Sequence, residues 1–389
     1  MFKLRSLYVW VCGFFVLQST WALSAQEKLD SLLQSPEFAI YVQNKEQLKL
    51  QIIYSEIQHK KSGRIEYDEG TFHYDPKNYF YPASLVKLPL SIFVMETFDS
   101  LKKVKNSFSA QMPFRTESVP CSPAYPLAKK AFSTFEREIQ KMLIISDNEA
   151  YNRHFEFLGR DAIRKKLDFY GLNSAMIRHR FSVCSEEQNK VTNAFLFGNP
   201  LFYKQEMRKS EQFPDFAEPA FVGKSWLNSK GELQNKPYDF TTKNRMDLMQ
   251  FHRVLQNLIY PGSVAKMPAF RLSSASREFL MNQLKQTPKK ANIKGDDGTD
   301  YDDNYTQYLY YGQTKKMPQK SGLKIYNIVG QSYGFLSDVA YFKDDVSGQE
   351  FFLSAVIYAN KSDVINSGSY DYKNIGFPFL AKLGQALVK

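Results

Sequence analysis

Ser84 and Lys87 stand three residues apart at the head of an apolar segment, FYPASLVKLPLSIFVMETF. If this segment is helical, both side chains lie on one face and the lysine amine can reach the serine hydroxyl. A serine hydroxyl is a weak nucleophile until a base removes its proton, so the pair could support covalent catalysis. The same spacing occurs elsewhere in the chain and is not decisive alone: Ser100–Lys103, Ser263–Lys266 and Ser321–Lys324.

Other catalytic chemistries find little support in the sequence. None of the five histidines lies in a recognisable triad motif, and no HExxH, P-loop or dinucleotide-binding glycine pattern is present. The acidic stretch 295–304 does not fit the EF-hand calcium loop, which needs a glycine in mid-loop and a glutamate at its end. We therefore predict neither a metal site nor a cofactor, and a lysine-activated serine remains the candidate.

Two further motifs follow Ser84 in the chain. Residues 146–148 read S-D-N on the strongest helical pattern, and residues 320–322 read K-S-G just before strand patterns. A second K-S-G, at residues 61–63, precedes Ser84 and does not fit this order. S-x-x-K, S-D-N and K-[ST]-G in this order are the signature of class A β-lactamases and penicillin-binding proteins. On these motifs the chain resembles the class A β-lactamase-like serine hydrolases.

The resemblance implies the residues of an acylation step. Ser84 would attack a carbonyl carbon, and its own backbone N–H, at a helix N-terminus, would face the developing oxyanion. Lys87 would act as the base, provided that burial and neighbouring positive charge lower the pKa of its amine. Ser146 would relay the proton toward the leaving group, and Asp147 would cap or brace the loop.

The resemblance also implies a set of substrate-binding residues. Asn148 would hydrogen-bond the substrate amide and support the catalytic lysine. Lys320 and Ser321, with Gly322 after them, would bind the substrate carboxylate, which is the usual handle on penicillins and on D-Ala-D-Ala termini. The backbone N–H of Leu323 would be the second oxyanion donor.

The sequence departs from the class A pattern where the deacylating glutamate is expected. In that family a glutamate on a loop lies shortly before a Leu-Asn pair. The best register here is K-S-W-L-N, which places Lys224 at the glutamate position. Glu218 and Glu232 are nearby but have the wrong spacing. A missing general base typically costs about 10²–10⁴-fold in rate, so fast deacylation has no assigned base.

Three functions remain open on these observations. The first, our leading prediction, is a β-lactamase-like enzyme that opens β-lactam amides through an acyl-enzyme at Ser84, with Glu218, Glu232 or another base. The second is a peptidoglycan DD-peptidase, or another amide or ester hydrolase, that β-lactams acylate slowly. The third is a non-enzymatic module that binds cell-wall fragments or a partner at a vestigial site. An intact set of three motifs argues against the third.

These side chains need elements that bring distant segments together. Alternating apolar and polar residues at 48–74 predict an antiparallel hairpin, and strands are predicted after residue 320, followed by a terminal amphipathic helix. Residues of about 95–290 are mostly helical in pattern, with a long irregular tract at 182–239. The prediction is an α+β fold of the β-lactamase/DD-peptidase type, with an antiparallel sheet flanked by helices and a mainly helical lobe.

The predicted domain organisation is simple. Residues 1–25 form a signal peptide, and residues 26–389 form a single β-lactamase-like catalytic domain. Its sheet lobe would comprise about 26–94 and 290–389, its helical lobe about 95–289, and the site would lie in the cleft between them.

The N-terminal segment predicts export. Lys3 and Arg5 precede a short apolar stretch at 7–17, as in a secretory signal, although a retained anchor is the competing interpretation. No other segment is long enough for a membrane span, so the mature protein is predicted in the periplasm or outside the cell. The net charge of +11 is interpreted as a solvated basic surface and not as a nucleic-acid site. Cys121 and Cys184 form either one disulfide or two separate thiols.

Overall fold

The computed structural model describes residues 23–126, 132–211, 218–314 and 317–388. Residues 1–22 of the predicted signal peptide lie outside these ranges. Ser24 caps the first helix and Ala25 is fully buried, so the last residues of the predicted signal peptide are part of the described fold. Among the described helices, none combines the length and the apolarity needed to cross a membrane.

The helices and strands alternate irregularly along the chain. The helices are α1 Ala25–Leu33, α2 Ala39–Gln43, α3 Lys87–Val104, α4 Phe135–Ile144, α5 Asn148–Leu158, α6 Arg160–Phe169, α7 Glu186–Lys190, α8 Leu248–Ile259, α9 Ser274–Leu284 and α10 Phe377–Leu387. The strands are β1 Gln51–His59, β2 Ile65–Phe72, β3 Pro113–Thr116, β4 Ser133–Thr134, β5 Phe195–Phe197, β6 Tyr203–Gln205, β7 Phe221–Val222, β8 Ser225–Leu227, β9 Leu233–Gln234, β10 Tyr238–Asp239, β11 Leu323–Ser332, β12 Phe335–Asp344, β13 Glu350–Tyr358 and β14 Val364–Ile365.

The sheet lobe is built on one five-stranded antiparallel sheet in the order β11-β12-β13-β1-β2. β1 and β2 form the predicted hairpin, with His59 opposite Ile65 next to its turn. β11, β12 and β13 pair in succession, and β13 pairs with β1. The sheet therefore combines the N-terminal hairpin with the C-terminal strands, and β11 lies at one edge.

Successive residues of each strand face two separate cores, as the two-residue period of a strand requires. On β1, Ile53 belongs to the core shared with the helical lobe, whereas Ile52 and Tyr54 pack on the other face with α1 and α10. Because both faces of the sheet are covered, β12 and β13 are buried along nearly their whole length. The predicted antiparallel sheet flanked by helices is confirmed.

The segment that carries Ser84 enters the helical lobe through a short 3₁₀ turn, Ala83–Val86, which leads into α3. Pro89 is the third residue of α3, where a backbone N–H would have no intrahelical acceptor in any case. The sequence predicts either a kink at Pro89 or a late helix start, and the structure has the late start. All residues from Lys87 to Glu96 are buried, so α3 is a central helix of its lobe.

The second lobe is mainly helical, as predicted, but short strands interrupt it. β4, β3, β5 and β6 form a small antiparallel sheet in that order. The ring of Phe135 on α4 lies 4.6 Å from that of Phe114 on β3 and 4.6 Å from that of Phe157 on α5, which joins the small sheet to the helices. The tract at 182–239, predicted as irregular, holds α7 and the strands β5 to β10, each of two or three residues.

Candidate active site

The amine of Lys87 is the centre of the site. Nζ donates to the backbone oxygen of Ser146 at 2.5 Å, to Ser146 Oγ at 3.0 Å and to Asn148 Oδ1 at 2.9 Å. The side chain is fully buried, and the ring centre of Phe181 lies 5.5 Å from Nζ. Burial lowers the pKa of Lys87 to about 7, against the opposing effect of the Asp147 carboxylate. An amine with this pKa is partly neutral near pH 7 and can accept a proton.

The S-D-N residues lie in the break between α4 and α5. The Asp147 carboxylate accepts the backbone N–H of Ala150 at 2.7 Å, which is an N-cap contact. Ser146 has a φ of 58°, in the left-handed region, where the chain turns from one helix to the next. This break is what presents Ser146 and Asn148 to the buried lysine, while Asp147 caps α5.

Ser84 lies on the 3₁₀ turn immediately before α3. Its neighbours Leu85 and Val86 are fully buried, whereas Ser84 lines a cavity. Within the described residues, neither the hydroxyl nor the backbone N–H of Ser84 has a hydrogen-bond partner. Catalytic hydrogen bonds are often long in unliganded sites. The structure therefore brings Ser84 to the site with its hydroxyl and N–H available.

Two adjoining cavities of about 670 Å³ and about 320 Å³ form the cleft at Ser84. The residues that line both are Ser84, Asn148, Gln331, Ser332 and Tyr333. The larger cavity also touches Ser146, and several tyrosines line it: Tyr305, Tyr308, Tyr370 and Tyr372. In the described part of the chain, no aspartate or glutamate lines either cavity, and no cluster suited to a metal ion is found.

The K-S-G motif lies far from this cleft. Lys320, Ser321 and Gly322 directly precede β11, and Leu323 is the first residue of that ten-residue strand. The cleft is lined by Ser332, the last residue of the strand. A strand rises about 3.4 Å per residue, so its two ends are about 30 Å apart. The structure therefore does not bring these four residues to the cleft that Ser84 lines.

The contacts of the motif hold it at the other end of the strand. Lys320 Nζ lies 3.1 Å from the Asp344 carboxylate, and the N–H of Leu323 donates to the backbone oxygen of Lys320 at 3.3 Å. Both residues stabilise the end of the β11–β12 pair that is remote from the cleft. The cleft has Gln331 instead, whose Oε1 accepts from the hydroxyl of Tyr308 at 3.1 Å.

Gly330 lets the C-terminal end of β11 approach the 3₁₀ turn that carries Ser84. A Cβ atom on Gly330 would lie only 2.4 Å from the backbone oxygen of Pro82 and 2.6 Å from Ser337 Oγ. An isolated glycine inside a strand pattern often marks a close backbone approach. This glycine is the sequence signal that could have located the cleft at the end of β11.

Part of the chain is similar to a known family. Residues 43–209 match the model of the β-lactamase enzyme family. The matched part contains Ser84, Lys87, Ser146 and Asn148, and these are the residues that the structure brings together. The similarity to the β-lactamase enzyme family thus covers the part of the chain that carries Ser84 and Lys87.

Solved structures share the fold across most of the chain. PBP-A matches with a TM-score of 0.50 and 14% identity, over 94% of this chain and 98% of that one. A PBP-A variant in an acyl-enzyme complex with penicillin G matches with a TM-score of 0.50 and 14% identity, over 92% and 96%. A β-lactamase from Sphaerobacter thermophilus has a TM-score of 0.48 and 13% identity, over 90% and 93%. No curated protein is detectably similar in sequence.

None of the acidic residues considered from the β-lactamase pattern lies at the cleft. Lys224, which takes the glutamate position in the best register, donates its backbone N–H to Asp363 at 2.9 Å. Glu232 is exposed and accepts from Asn228 at 2.8 Å. Glu218 lines a different cavity. The β-lactamase-like cleft therefore has no carboxylate base among its described lining residues.

His179 lines the smaller cavity but is not suited to act as the base. Burial lowers its pKa to about 4. Its Nδ1 bonds to the backbone oxygen of Arg180 at 2.8 Å, and its Nε2 accepts the N–H of Asn244 at 3.2 Å. The imidazole is therefore neutral with both ring nitrogens engaged, and its role is to hold the wall of the cavity.

A disulfide joins Cys121 to Cys184, whose Cα atoms are 5.8 Å apart. This settles the alternative that the sequence leaves open. Val183, next to the bond, lines the smaller cavity. The disulfide therefore fastens one wall of the β-lactamase-like cleft to the loop around Cys121.

Proposed function

We propose that this protein is a serine hydrolase that opens amide bonds by forming an acyl-enzyme at Ser84 and releases the acyl group slowly. The observation that carries the proposal is the buried Lys87 amine, bonded to Ser146 and Asn148 beside a serine that lines the cleft. The substrate class is a β-lactam or a peptidoglycan peptide. The proposal thus favours the DD-peptidase-like alternative over a fast β-lactamase.

The proton transfer follows from the contacts of Lys87. As an ammonium, Nζ donates three hydrogen bonds to the two S-D-N residues. The neutral amine keeps two N–H groups and gains a lone pair, to which Ser146 Oγ–H can donate. Ser84 Oγ then attacks the carbonyl carbon while its proton passes to Lys87, directly or through Ser146, and finally to the leaving amine.

The developing oxyanion needs two N–H donors, of which Ser84 supplies one. Tyr333 is the candidate for the second, because its backbone N–H has no acceptor in the described part of the chain and its residue lines both cavities. Tyr333 directly follows β11, an edge strand of the five-stranded sheet, and an extended substrate would pair alongside that strand. It replaces Leu323 in this role.

Slow release is proposed because the described lining of the cleft has no carboxylate to activate water. A positioned general base contributes about 10²–10⁴-fold to such a step. A fold relative, the PBP-A variant, is known as an acyl-enzyme with penicillin G. We extend that reactivity to Ser84.

We also propose export to the periplasm or the cell exterior. A disulfide between Cys121 and Cys184 supports an oxidising compartment. The basic and apolar N-terminal segment supports a secretory signal.

To test acylation at Ser84 and slow release, the purified protein is labelled with a fluorescent penicillin, and turnover of a chromogenic cephalosporin is then measured. We expect covalent labelling that survives denaturation, followed by slow turnover. Ser84→Ala should abolish labelling, whereas Ser100→Ala, at an exposed serine with the same spacing to a lysine, should leave it unchanged.

Three results would overturn parts of the proposal. If labelling persists in a folded Ser84→Ala variant, or if the wild type is not labelled, the proposed acyl-enzyme at Ser84 is contradicted. The alternative of a non-enzymatic binding module then remains. Rapid steady-state turnover would contradict slow release of the acyl group. It would favour the leading prediction from the sequence, which is a β-lactamase.

A further inference from the structure

Lys320 lies far from the cleft, so any positive charge in the cleft comes from other residues. Two cations line the smaller cavity within the described residues, Arg180 and Lys243, and none lines the larger one. Arg180 is engaged: its Nε donates to Glu156 at 2.6 Å, and its other nitrogens donate to the backbone oxygens of Gln188 and Val191. Lys243 differs, because its amine has no hydrogen-bond or ion-pair partner in the described part of the chain.

Lys243 is carried by a backbone that cannot move easily. Its N–H donates to the oxygen of Phe240 at 2.9 Å. The next residue, Asn244, is fully buried, and its Oδ1 accepts the N–H of Arg178 at 2.9 Å. Asn244 also donates its own N–H to His179 Nε2 at 3.2 Å. The backbone that carries Lys243 therefore has a defined position on the wall of the smaller cavity.

The surroundings of Lys243 do not neutralise it. Burial lowers the pKa of Lys243, and the Glu186 carboxylate acts in the opposite direction. That carboxylate is already bonded to Arg160 and Arg178, both at 2.8 Å. The neighbouring His179 imidazole is neutral. A half-buried cation without a partner is costly unless a ligand supplies the negative charge.

We propose that Lys243 binds the anionic group of the substrate and selects carboxylate-bearing amides, in place of the K-S-G lysine. The inference rests on the proposed acyl-enzyme at Ser84. It assigns the electrostatic contact to the turn after β10, on the wall formed by the helical lobe, and not to the edge strand β11. Gln331, which lines the same cavity from β11, contributes a neutral amide only.

The test compares two penicillins that differ only in the carboxylate, the free acid and its methyl ester. For the wild type, the second-order labelling rate should be higher with the acid. Lys243→Met should lower the rate for the acid by about 10- to 100-fold, the range expected for one charge-assisted hydrogen bond, and change the rate for the ester by less than about threefold. Lys243→Arg should keep most of the preference.

Two further variants sharpen the result. Lys236→Met, at an exposed lysine outside both cavities, controls for net charge and should match the wild type. Gln331→Lys combined with Lys243→Met should restore part of the preference for the acid, because it returns a cation to the cleft. Thermal melts of each variant establish that it is folded.

Equal losses for acid and ester, or no loss for either, would overturn the role of Lys243. Failure of the proposed function is a different result, since the wild type would then be labelled by neither penicillin.

Discussion

Replacing Asp147 by asparagine should move the pH dependence of acylation toward acid. Burial lowers the pKa of Lys87 to about 7, while the Asp147 carboxylate acts in the opposite direction. Asp147→Asn removes that negative charge but keeps a side-chain oxygen that can cap α5, since asparagine is as good an N-cap as aspartate. The variant therefore changes the charge near Lys87 and preserves the helix start that positions Asn148.

The expected magnitude follows from the pKa. Below it Lys87 is protonated and cannot accept the proton of Ser84, so the rate should rise with pH. The neutral fraction is about one tenth at pH 6 and about nine tenths at pH 8, which gives a rise of about tenfold and then a plateau. An ordinary lysine would give a rise of about hundredfold over this range without a plateau. In Asp147→Asn, a midpoint lower by one unit would raise the rate at pH 6 about fivefold.

The assay is the second-order rate of labelling by a fluorescent penicillin, measured from about pH 5 to about pH 9 in a constant-ionic-strength buffer. Glu149→Gln is the matched control, because it removes an exposed carboxylate from the same first turn of α5. Its profile should coincide with that of the wild type. Circular dichroism at each pH shows whether the protein is folded.

Two results would refute this reasoning. A wild-type rate that rises tenfold per unit up to pH 9 would mean that the base is not a lysine with a lowered pKa. An equal shift of the midpoint in Asp147→Asn and Glu149→Gln would mean that general surface charge, and not the carboxylate near Lys87, controls the titration.

Two further predictions concern the walls of the cleft. Gly330→Ala should destabilise the protein by about 1–3 kcal/mol and slow labelling, because the new Cβ would overlap the backbone oxygen of Pro82; urea unfolding and the labelling rate measure both effects. Reduction of the Cys121–Cys184 bond, which spans 63 residues, should lower the free energy of unfolding by about 4 kcal/mol, and the midpoint of thermal melts with and without dithiothreitol measures it. An unchanged urea midpoint in Gly330→Ala would contradict the packing argument. An unchanged melting midpoint after reduction would contradict the cross-link argument.

Structural features that depend on residues close together in the chain could be predicted from the sequence. The hairpin at 48–74 has alternating apolar and polar stretches on both sides of a polar turn, so its two strands and their antiparallel pairing follow from the pattern. The S-D-N residues interrupt an otherwise apolar helical pattern, and this interruption is the break between α4 and α5. Ser84 and Lys87 lie within one turn of chain, so their proximity needs no knowledge of the rest of the fold.

The small sheet in the helical lobe was not predictable by the same means. β4 has two residues, β3 has four, and β5 and β6 have three each. Runs of this length contain at most two alternations, which chance produces often. What holds them is the packing of phenylalanines such as Phe114 and Phe135 from distant segments, and that packing is not visible as a local pattern.

The distance between the K-S-G motif and the cleft has a different physical cause. The three residues do precede the predicted strand, so the local part of the prediction holds. Which end of an edge strand meets the nucleophile is decided by how the strand packs on the turn before Ser84, and Gly330 makes that approach at the far end. A three-residue motif contains no information on that packing, whereas a glycine inside an apolar strand does.

The other wall of the cleft is held by different contacts, and no glutamate of the described part of the tract at 182–239 lines it. The wall of the smaller cavity contains Phe181 and Ser182, and Asn152 on α5 holds both: it accepts the N–H of Phe181 and donates to Ser182 Oγ, each at 2.7 Å. The disulfide at Cys184 fastens the chain two residues later. These contacts fix the wall next to Ser84, and no carboxylate of the described residues lines it. We therefore expect the lifetime of the acyl-enzyme, more than its rate of formation, to distinguish this protein from fast β-lactamases.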